Sequence, residues 1–424
     1  MKKVLLILIA IVLTGLTACS QSASAEILQS KKPRITEPQV SQDDLVTLID
    51  GNSEFAFDLY QVLKETDGNL FYSPYSISVA LAMTFAGARG ETERQMADTL
   101  NFILSQDSIH PALNGLDLDL NNRGEGAKGK DGGAFRLNIV NAIWGQKDFE
   151  FLPEFLDVLA ENYGAGLRTL DFVAEPEPSR ITINDWVSRQ TKGRIKDIIP
   201  QGAIDPLTRL ILTNAIYFNA AWKFRFRERP TSDGIFDLLD GAKITARMMQ
   251  ETEQYGYARG DNYQAIEIPY DGDELSMVIL LPDSGQFEDF ESSMEHETVD
   301  NIISNIRKCL VSLEMPRFNF ESEFSLNNVL ATMGMPTAFF PYAADFSGMT
   351  GNQDLFIEDV IHKGFVAVDK SGTEAAASTA VRMGFISAPP RPLLVTVNRP
   401  FVFLIRDIET GTVLFMGRVL NPEI

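Results

Sequence analysis

The chain has 424 residues, of which 45% are hydrophobic and 22% are charged, a composition typical of a globular protein with a large core. Its net charge of −21 argues against nucleic acid or anionic lipid as a partner, because an acidic surface of that size repels both. Soluble protein partners remain compatible with this charge.

The N-terminus has the form of an export signal. Two lysines precede the apolar run 4–13, which is too short for a comfortable transmembrane helix. Residues 16–19, Leu-Thr-Ala-Cys, resemble the bacterial lipobox, in which the cysteine becomes the lipid-modified first residue. We expect a lipoprotein signal peptide at 1–18 and a flexible tether at 19–43, held to the bacterial cell envelope or surface through lipid on Cys19. An incidental cysteine is the alternative.

Apolar residues at helical spacing dominate the first half of the chain, and continuous or alternating apolar runs dominate the second half. The predicted helices are 44–65, 77–86, 153–164 and 180–190. The predicted strands are 210–218, 263–269, 275–281, 310–320, 360–368, 393–397, 401–407 and 412–419. This segregation favours the α+β class, with helices packed on large sheets.

No pattern in the sequence points to catalysis, to a metal or to a cofactor. Residues 124–130 contain G-x-G-x-x-G and approach a phosphate loop, but Asp131 stands where Ser or Thr must bind magnesium, and no preceding strand is predicted. We interpret this stretch as a flexible, exposed loop. G-x-S-x-G is absent, and of the three histidines, His110 and His296 are expected at the surface and His362 in the interior. We therefore expect a protein that is not an enzyme.

The stretch 369–386 separates into two faces when it is read with a period of two. Positions 373, 375, 377 and onward to 385 are small or apolar, whereas Glu374 and Arg382 fall on the other face. The Pro-rich segment that follows cannot continue a ladder. The pattern predicts a segment able to form a strand but present first as a loop. A helix or a plain loop is the alternative, because Glu-Ala-Ala-Ala is a good helix former.

Residues 360–369 and 372–379 closely resemble the hinge signature of serpins. Other segments also match that family: 69–77, 87–92, 183–187, 191–195, 212–222, 398–407 and 414–422. The resemblance covers nearly the whole mature chain and implies a single serpin domain at 44–424. The serpin fold is α+β, with helices packed on a large central β-sheet, two smaller sheets and an exposed reactive-centre loop.

The resemblance implies a suicide-substrate inhibitor of serine proteases. In this family the protease cleaves the exposed loop and is trapped as a covalent acyl complex while the loop inserts as a new strand in the central sheet. The family's spacing from Gly372 puts the reactive bond at Ile386-Ser387, which suits an elastase-like protease. Chymotrypsin- or subtilisin-like enzymes would use Phe385 or Met383. We expect a monomer; the alternatives are a non-inhibitory serpin acting as a cell-surface binding protein, and a surface hydrolase.

The resemblance also assigns three groups of residues around the central sheet. The hinge comprises Gly372, Thr373, Glu374, Ala375, Ala376, Ala377, Ser378 and Thr379. The shutter, a polar cluster under the sheet, comprises Ser73, Ser76, Asn214 and His362; a static polar core is the alternative interpretation. The breach, where the loop would first enter, comprises Trp222, Arg317 and Lys370.

One breach residue departs from the family pattern. The family usually has Glu where Lys370 stands, paired with a base that Arg317 matches here. Two cations facing each other would cost stability. We expect either compensation by a local acid, Asp369 or Glu321, or a breach that opens easily.

Overall fold

The computed structural model describes residues 22–226, 233–373 and 391–423. Its helices are α1 (Gln42–Leu63), α2 (Pro74–Phe85), α3 (Gly90–Thr99), α4 (Gln106–Asn122), α5 (Pro153–Tyr163), α6 (Pro176–Gln190), α7 (Phe287–Ser292), α8 (His296–Ser304), α9 (Asn327–Met333) and α10 (Ser347–Thr350), with a 3-10 helix at Pro336–Phe339. No helix in these ranges is both long and apolar enough to cross a membrane.

The strands in the same ranges are β1 (Glu26–Leu28), β2 (Leu70–Tyr72), β3 (Arg136–Gln146), β4 (Leu167–Leu170), β5 (Leu210–Ala221), β6 (Asp233–Asp237), β7 (Lys243–Arg259), β8 (Tyr263–Pro269), β9 (Leu275–Pro282), β10 (Arg307–Pro316), β11 (Phe318–Ser325), β12 (Asp359–Asp369), β13 (Gly372–Thr373), β14 (Leu393–Thr396), β15 (Phe401–Asp407) and β16 (Val413–Val419). Each predicted helix and strand has its counterpart here except 310–320, which was predicted as one strand and is divided between β10 and β11 in different sheets. Pro316, which has no N–H to donate to a ladder, ends β10. The α+β class is confirmed.

The central sheet has seven strands in the order β1-β4-β3-β5-β13-β12-β11. Its middle strand β5 is apolar almost throughout and is buried on both faces, as expected for a strand covered from two sides. On one face α6 packs against it, and Trp186 of α6 lies edge to face with Trp144 of β3. On the other face lies the core between the two sheets.

The second sheet has nine strands in the order β14-β10-β7-β8-β9-β15-β16-β2, with β6 paired to β7. The 17-residue strand β7 pairs with β10 over residues 248–257 and with β8 over residues 256–259, so the two smaller sheets implied by the resemblance are continuous through it. Phe218 of the central sheet lies 5.4 Å, centroid to centroid, from Phe415 of this sheet. The apolar space between the sheets is therefore the main core.

Helix α2 runs through the centre of this core, and all twelve of its residues are buried. Ser73 is its N-cap and accepts a hydrogen bond from the backbone N–H of Ser76, and Pro74 occupies the first turn. Because a buried helix end must satisfy its own backbone groups, the polar residues at this end are placed under the central sheet. They form the first part of the site described below.

The N-terminal segment differs from the expected tether over its described part. From residue 22 onward it lies against the domain, and β1 pairs antiparallel with β4 at the edge of the central sheet. Further along, the Arg34 guanidinium lies 2.6 Å from the carboxylate of Asp117 in α4. An edge strand offers unpaired backbone groups that an extended segment satisfies, and this explains the docking. The predicted signal peptide and Cys19 lie outside the described residues.

Candidate functional site

The central sheet contains a partly filled slot between β5 and β12. These strands pair directly, in parallel, over six residue pairs from Asp359 opposite Ile211 to Gly364 opposite Ile216. Above that stretch the short strand β13 lies between them and runs antiparallel to both. A longer strand would continue from β13 only if β5 and β12 separated.

Two residues of the predicted hinge form β13. A Cβ on Gly372 would lie 2.2 Å from the carbonyl oxygen of Ala220, and its φ is +145°, so the position requires glycine. Thr373 is buried, and its hydroxyl lies 3.0 Å from the hydroxyl of Tyr270 in the core. The first inward-facing hinge residue is therefore already inside the sheet. The hinge from Glu374 to Thr379 and the predicted reactive bond at Ile386-Ser387 lie outside the described residues.

The structure brings the four predicted shutter residues together beneath the directly paired part of the slot. Asn214 of β5 and His362 of β12 are register partners, and the His362 Nδ1–H donates to the Asn214 side-chain oxygen. The Asn214 amide donates to the Ser76 hydroxyl at 2.6 Å. The Ser73 hydroxyl donates to the carbonyl of Leu414 at 2.6 Å. All four residues are fully buried.

His362 is held as the neutral tautomer that carries its proton on Nδ1. Its Nε2 accepts the backbone N–H of Ser73 at 3.3 Å, while Nδ1 faces an amide oxygen. Burial lowers the pKa of His362 to about 3, because the cation would lose its hydration. Both ring nitrogens are engaged, so this histidine is a structural link between strand and helix and has no free nitrogen to act as a base.

Trp222 lies at the top of the slot, next to β13. Its ring stacks on Tyr270 at 4.6 Å between centroids, and its indole N–H donates to the carbonyl of Asp369 at 2.8 Å. Its backbone N–H donates to the carbonyl of Ser371. The tryptophan thus fastens the end of β5 to the turn that leads from β12 into β13.

The comparisons with known proteins agree with this geometry. Residues 50–422 match the family model described as Serpin (serine protease inhibitor). The chain belongs to the serpin family. An uncharacterised serpin-like protein of Thermococcus kodakarensis is 40% identical over 89% of this chain and 86% of that protein. The human leukocyte elastase inhibitor is 38% identical over 88% of this chain and 99% of the inhibitor.

Among solved structures, the thermophilic serpin tengpin in its native state has a TM-score of 0.81 to this chain at 28% identity, covering 93% of this chain and 97% of tengpin. The serpin fold implied by the sequence is therefore confirmed. The slot between β5 and β12 lies in the central sheet of that fold.

In this serpin the shutter contains a fifth polar residue that the sequence did not reveal. Asn141 of β3 pairs in register with Asn214, and its side-chain oxygen accepts the Asn214 amide at 2.5 Å. Its own amide donates to the backbone carbonyl of Ser76 at 3.2 Å. A lone asparagine within the apolar run 139–143 was the available signal. Its contact with Asn214 depends on the pairing of β3 with β5, which the residue pattern alone does not specify.

The two acids that were expected to compensate Arg317 and Lys370 have other cations beside them. The Asp369 carboxylate lies 3.2 Å from the ammonium of Lys130, and Glu321 lies 3.6 Å from that of Lys363. The backbone of Lys370 accepts from Phe226, and the backbone N–H of Arg317 donates to Arg247. Lys130, in a loop expected to be exposed, is instead buried beside Asp369, next to the predicted breach residue Lys370.

The described residues contain no group of three or more His, Cys, Asp or Glu that could hold a metal ion.

The expected surface position of His110 is wrong. It lies on the inner face of α4, burial lowers its pKa to about 4, and its Nδ1 is 2.7 Å from the Tyr163 hydroxyl. Pro111, the next residue, also lies inside this helix.

Proposed function

We propose that this serpin is a suicide-substrate inhibitor of serine proteases that acts by reactive-loop cleavage and insertion of the loop into the central sheet. The observation that carries the proposal is β13, where Gly372 and Thr373 already occupy the top of the slot with β5 and β12 on either side. Insertion needs only to continue a strand that has begun. Loop insertion in serpins is a known case of β-strand addition and of the release of stored strain.

The free energy available to such a step is large enough to trap a protease. About ten further residues entering the slot would each add net ladder hydrogen bonds of roughly 0.5–1.5 kcal/mol, on the order of 10 kcal/mol in all. That is comparable with the whole stability of a typical domain, about 5–15 kcal/mol. A protease tethered to the moving loop by its acyl bond would be distorted before the bond hydrolyses.

The target proposed is an elastase-, chymotrypsin- or subtilisin-like protease. Support comes from Ile386 at the expected reactive bond, and from the similarity to proteins named leukocyte elastase inhibitor in human and pig.

We also propose that the export signal and Cys19 anchor the protein at the bacterial cell envelope as a monomer, so that it meets proteases outside the cytoplasm.

The test is incubation of the full mature chain with pancreatic elastase, chymotrypsin, subtilisin and trypsin. An inhibitor gives a complex with at least one of them that survives denaturing electrophoresis. Thr373→Arg should still be cleaved at the same bond but should form no stable complex. The substitution would place a cation in the buried site beside Tyr270, which costs several kcal/mol without a counter-charge.

The matched control is Ser378→Arg, at a position that the period-two pattern assigns to the outward face. It should retain the complex, because an outward arginine stays in water. A stable complex formed by Thr373→Arg would refute insertion as the trapping step. Cleavage by all four proteases without any complex would instead indicate a non-inhibitory binding protein.

A further inference from the structure

Lys130 lies in the loop between α4 and β3, and this loop is fastened to the upper end of β5. The backbone N–H of Ala221 donates to the carbonyl of Lys128 at 3.0 Å. The backbone N–H of Lys130 donates to the Asn219 side-chain oxygen at 2.7 Å. Lys130 itself is 3% exposed, which is unusual for a lysine.

The side chain of Lys130 makes its contacts on the opposite flank of the slot. Its ammonium donates to the carbonyl of Ala367 at 3.0 Å and lies 3.2 Å from the Asp369 carboxylate, and both partners are in β12. A single residue is thus joined to β5 through its backbone and to β12 through its side chain.

The register of the sheet shows why this position matters. Thr373 of β13 lies opposite Ala220 on β5 and Val368 on β12. The next step along the slot therefore lies between Asn219 and Ala367, and these are the residues that bind Lys130. The lysine connects the two strands immediately beyond the part of the slot that β13 already fills.

The contact of the Lys130 ammonium with β12 can be broken, because its surroundings disfavour the charged form of the side chain. Burial lowers the pKa of Lys130 to about 8; Asp369 opposes that shift, and the guanidinium groups of Arg194 and Arg317 add to it. The ammonium has two acceptors in β12, and the four-carbon side chain can swing out to water once they move apart. The contact to β5, made by the backbone, does not depend on the charge.

We propose that Lys130 is a clasp across the opening of the central sheet, a positioning residue that sets the rate at which β5 and β12 separate to admit a strand. The inference rests on the proposed function for its biological meaning. Separation lengthens the distance from Asn219 to Ala367, so the ammonium must leave Ala367 and Asp369 before a residue beyond Thr373 can enter. The clasp slows the spontaneous separation of β5 and β12, and its contacts break when a cleaved loop inserts.

The test measures strand uptake without any protease. A synthetic peptide with the sequence of residues 374–386 is incubated with the intact chain, and its incorporation is followed on native gels and by the rise in unfolding temperature. Lys130→Met keeps the aliphatic side chain and removes the charge. It should take up the peptide roughly tenfold faster, as expected when the barrier loses the hydrogen bond of the ammonium to Ala367 and its ion pair with Asp369.

Two further variants keep the result interpretable. Lys128→Met changes an exposed lysine of the same loop and should leave the rate unchanged. Asp369→Asn removes the ion pair but leaves the hydrogen bond from Lys130 to Ala367, so it should accelerate uptake less than Lys130→Met does. The double variant should be no faster than Lys130→Met alone, because Asp369 acts through the Lys130 ammonium.

Equal rates for wild type, Lys130→Met and Asp369→Asn would overturn the clasp, and so would a chain that takes up no peptide in any form. A chain that forms no complex with any protease, yet takes up peptide faster after Lys130→Met, would disprove the inhibitory function and leave the clasp standing.

Discussion

His362 is neutral because its surroundings leave no place for a second ring proton. Its Nε2 faces the N–H of Ser73, so a proton added there would oppose another donor. The neutral ring links β12 to β5 through Asn214 and to the start of α2 through Ser73. The two hydrogen bonds of this side chain therefore depend both on the separation of β5 and β12 and on the position of α2 beneath them.

Acid should therefore weaken the closed sheet. The pKa of His362 is about 3 in the folded chain and near 6.5 when unfolded, and His110 is shifted in the same direction. Between pH 6.5 and 5.5 only the unfolded chain takes up these protons, so stability falls as pH falls, by up to about 1.4 kcal/mol per group and pH unit. Urea midpoints at pH 6.5 and 5.5 should show this loss, and His362→Gln and His110→Gln should each remove about half of it. An unchanged pH dependence in both variants would contradict the assignment.

At the scale of elements, the N-terminal segment behaves as a strap on the edge of the central sheet. β1 completes the sheet beyond β4, and Ser30 and Lys32 contact Asp157 in α5. Arg34 is the most enclosed of these contacts, with its guanidinium donating to Asn114 at 2.8 Å as well as to Asp117. The strap therefore ties the edge strand to two helices.

Loss of the Arg34 contacts should loosen this strap. Arg34→Met removes two charge-assisted hydrogen bonds that are partly screened by water, and we expect a loss of about 1–2 kcal/mol and a drop of several degrees in unfolding temperature. Lys32→Met is the matched control, since Lys32 is exposed and its ion pairs lie in water. A calorimetric scan in which both variants match wild type would show that the strap adds no stability.

At the scale of the whole molecule, the central sheet is incomplete. Its strands β5 and β12 are held together by direct pairing at one end, by Asn214 and His362, and at the other end by Lys130 and Trp222. Among residues 22–226, 233–373 and 391–423, only β13 lies between them, at the top of the slot. β5 and β12 therefore have the capacity to pair with a further strand if they separate.

Cleavage within residues 374–390 should release that capacity. A gain on the order of 10 kcal/mol would raise the unfolding temperature by about 12 °C in a domain of this size. The measurement is a thermal melt before and after limited proteolysis, with the cleaved bond identified by mass. Thr373→Arg, cut at the same bond, should show little gain. A wild-type melt that does not change on cleavage would rule out the insertion mechanism.

The clustering of the predicted shutter residues could be expected from sequence because they lie in three conspicuous segments, 69–77, 212–222 and 360–369, which resemble a known family. Asn141 could not be predicted, because polar residues at 138, 141 and 146 break the alternation of apolar residues in β3, so the strand is not evident from the sequence. Lys130 was missed for a different physical reason. The composition of 121–133 is that of a solvated loop, and its burial results from strands 89 and 237 residues further along the chain.

The opposite directions of β12 and β13 give the slot a mechanical property. Below Gly364, each residue that enters would replace one parallel partnership between β5 and β12 with two antiparallel ones, so every advance lowers the free energy and every retreat raises it. Insertion into such a sheet would therefore proceed in one direction only, downward from β13, and would not reverse spontaneously.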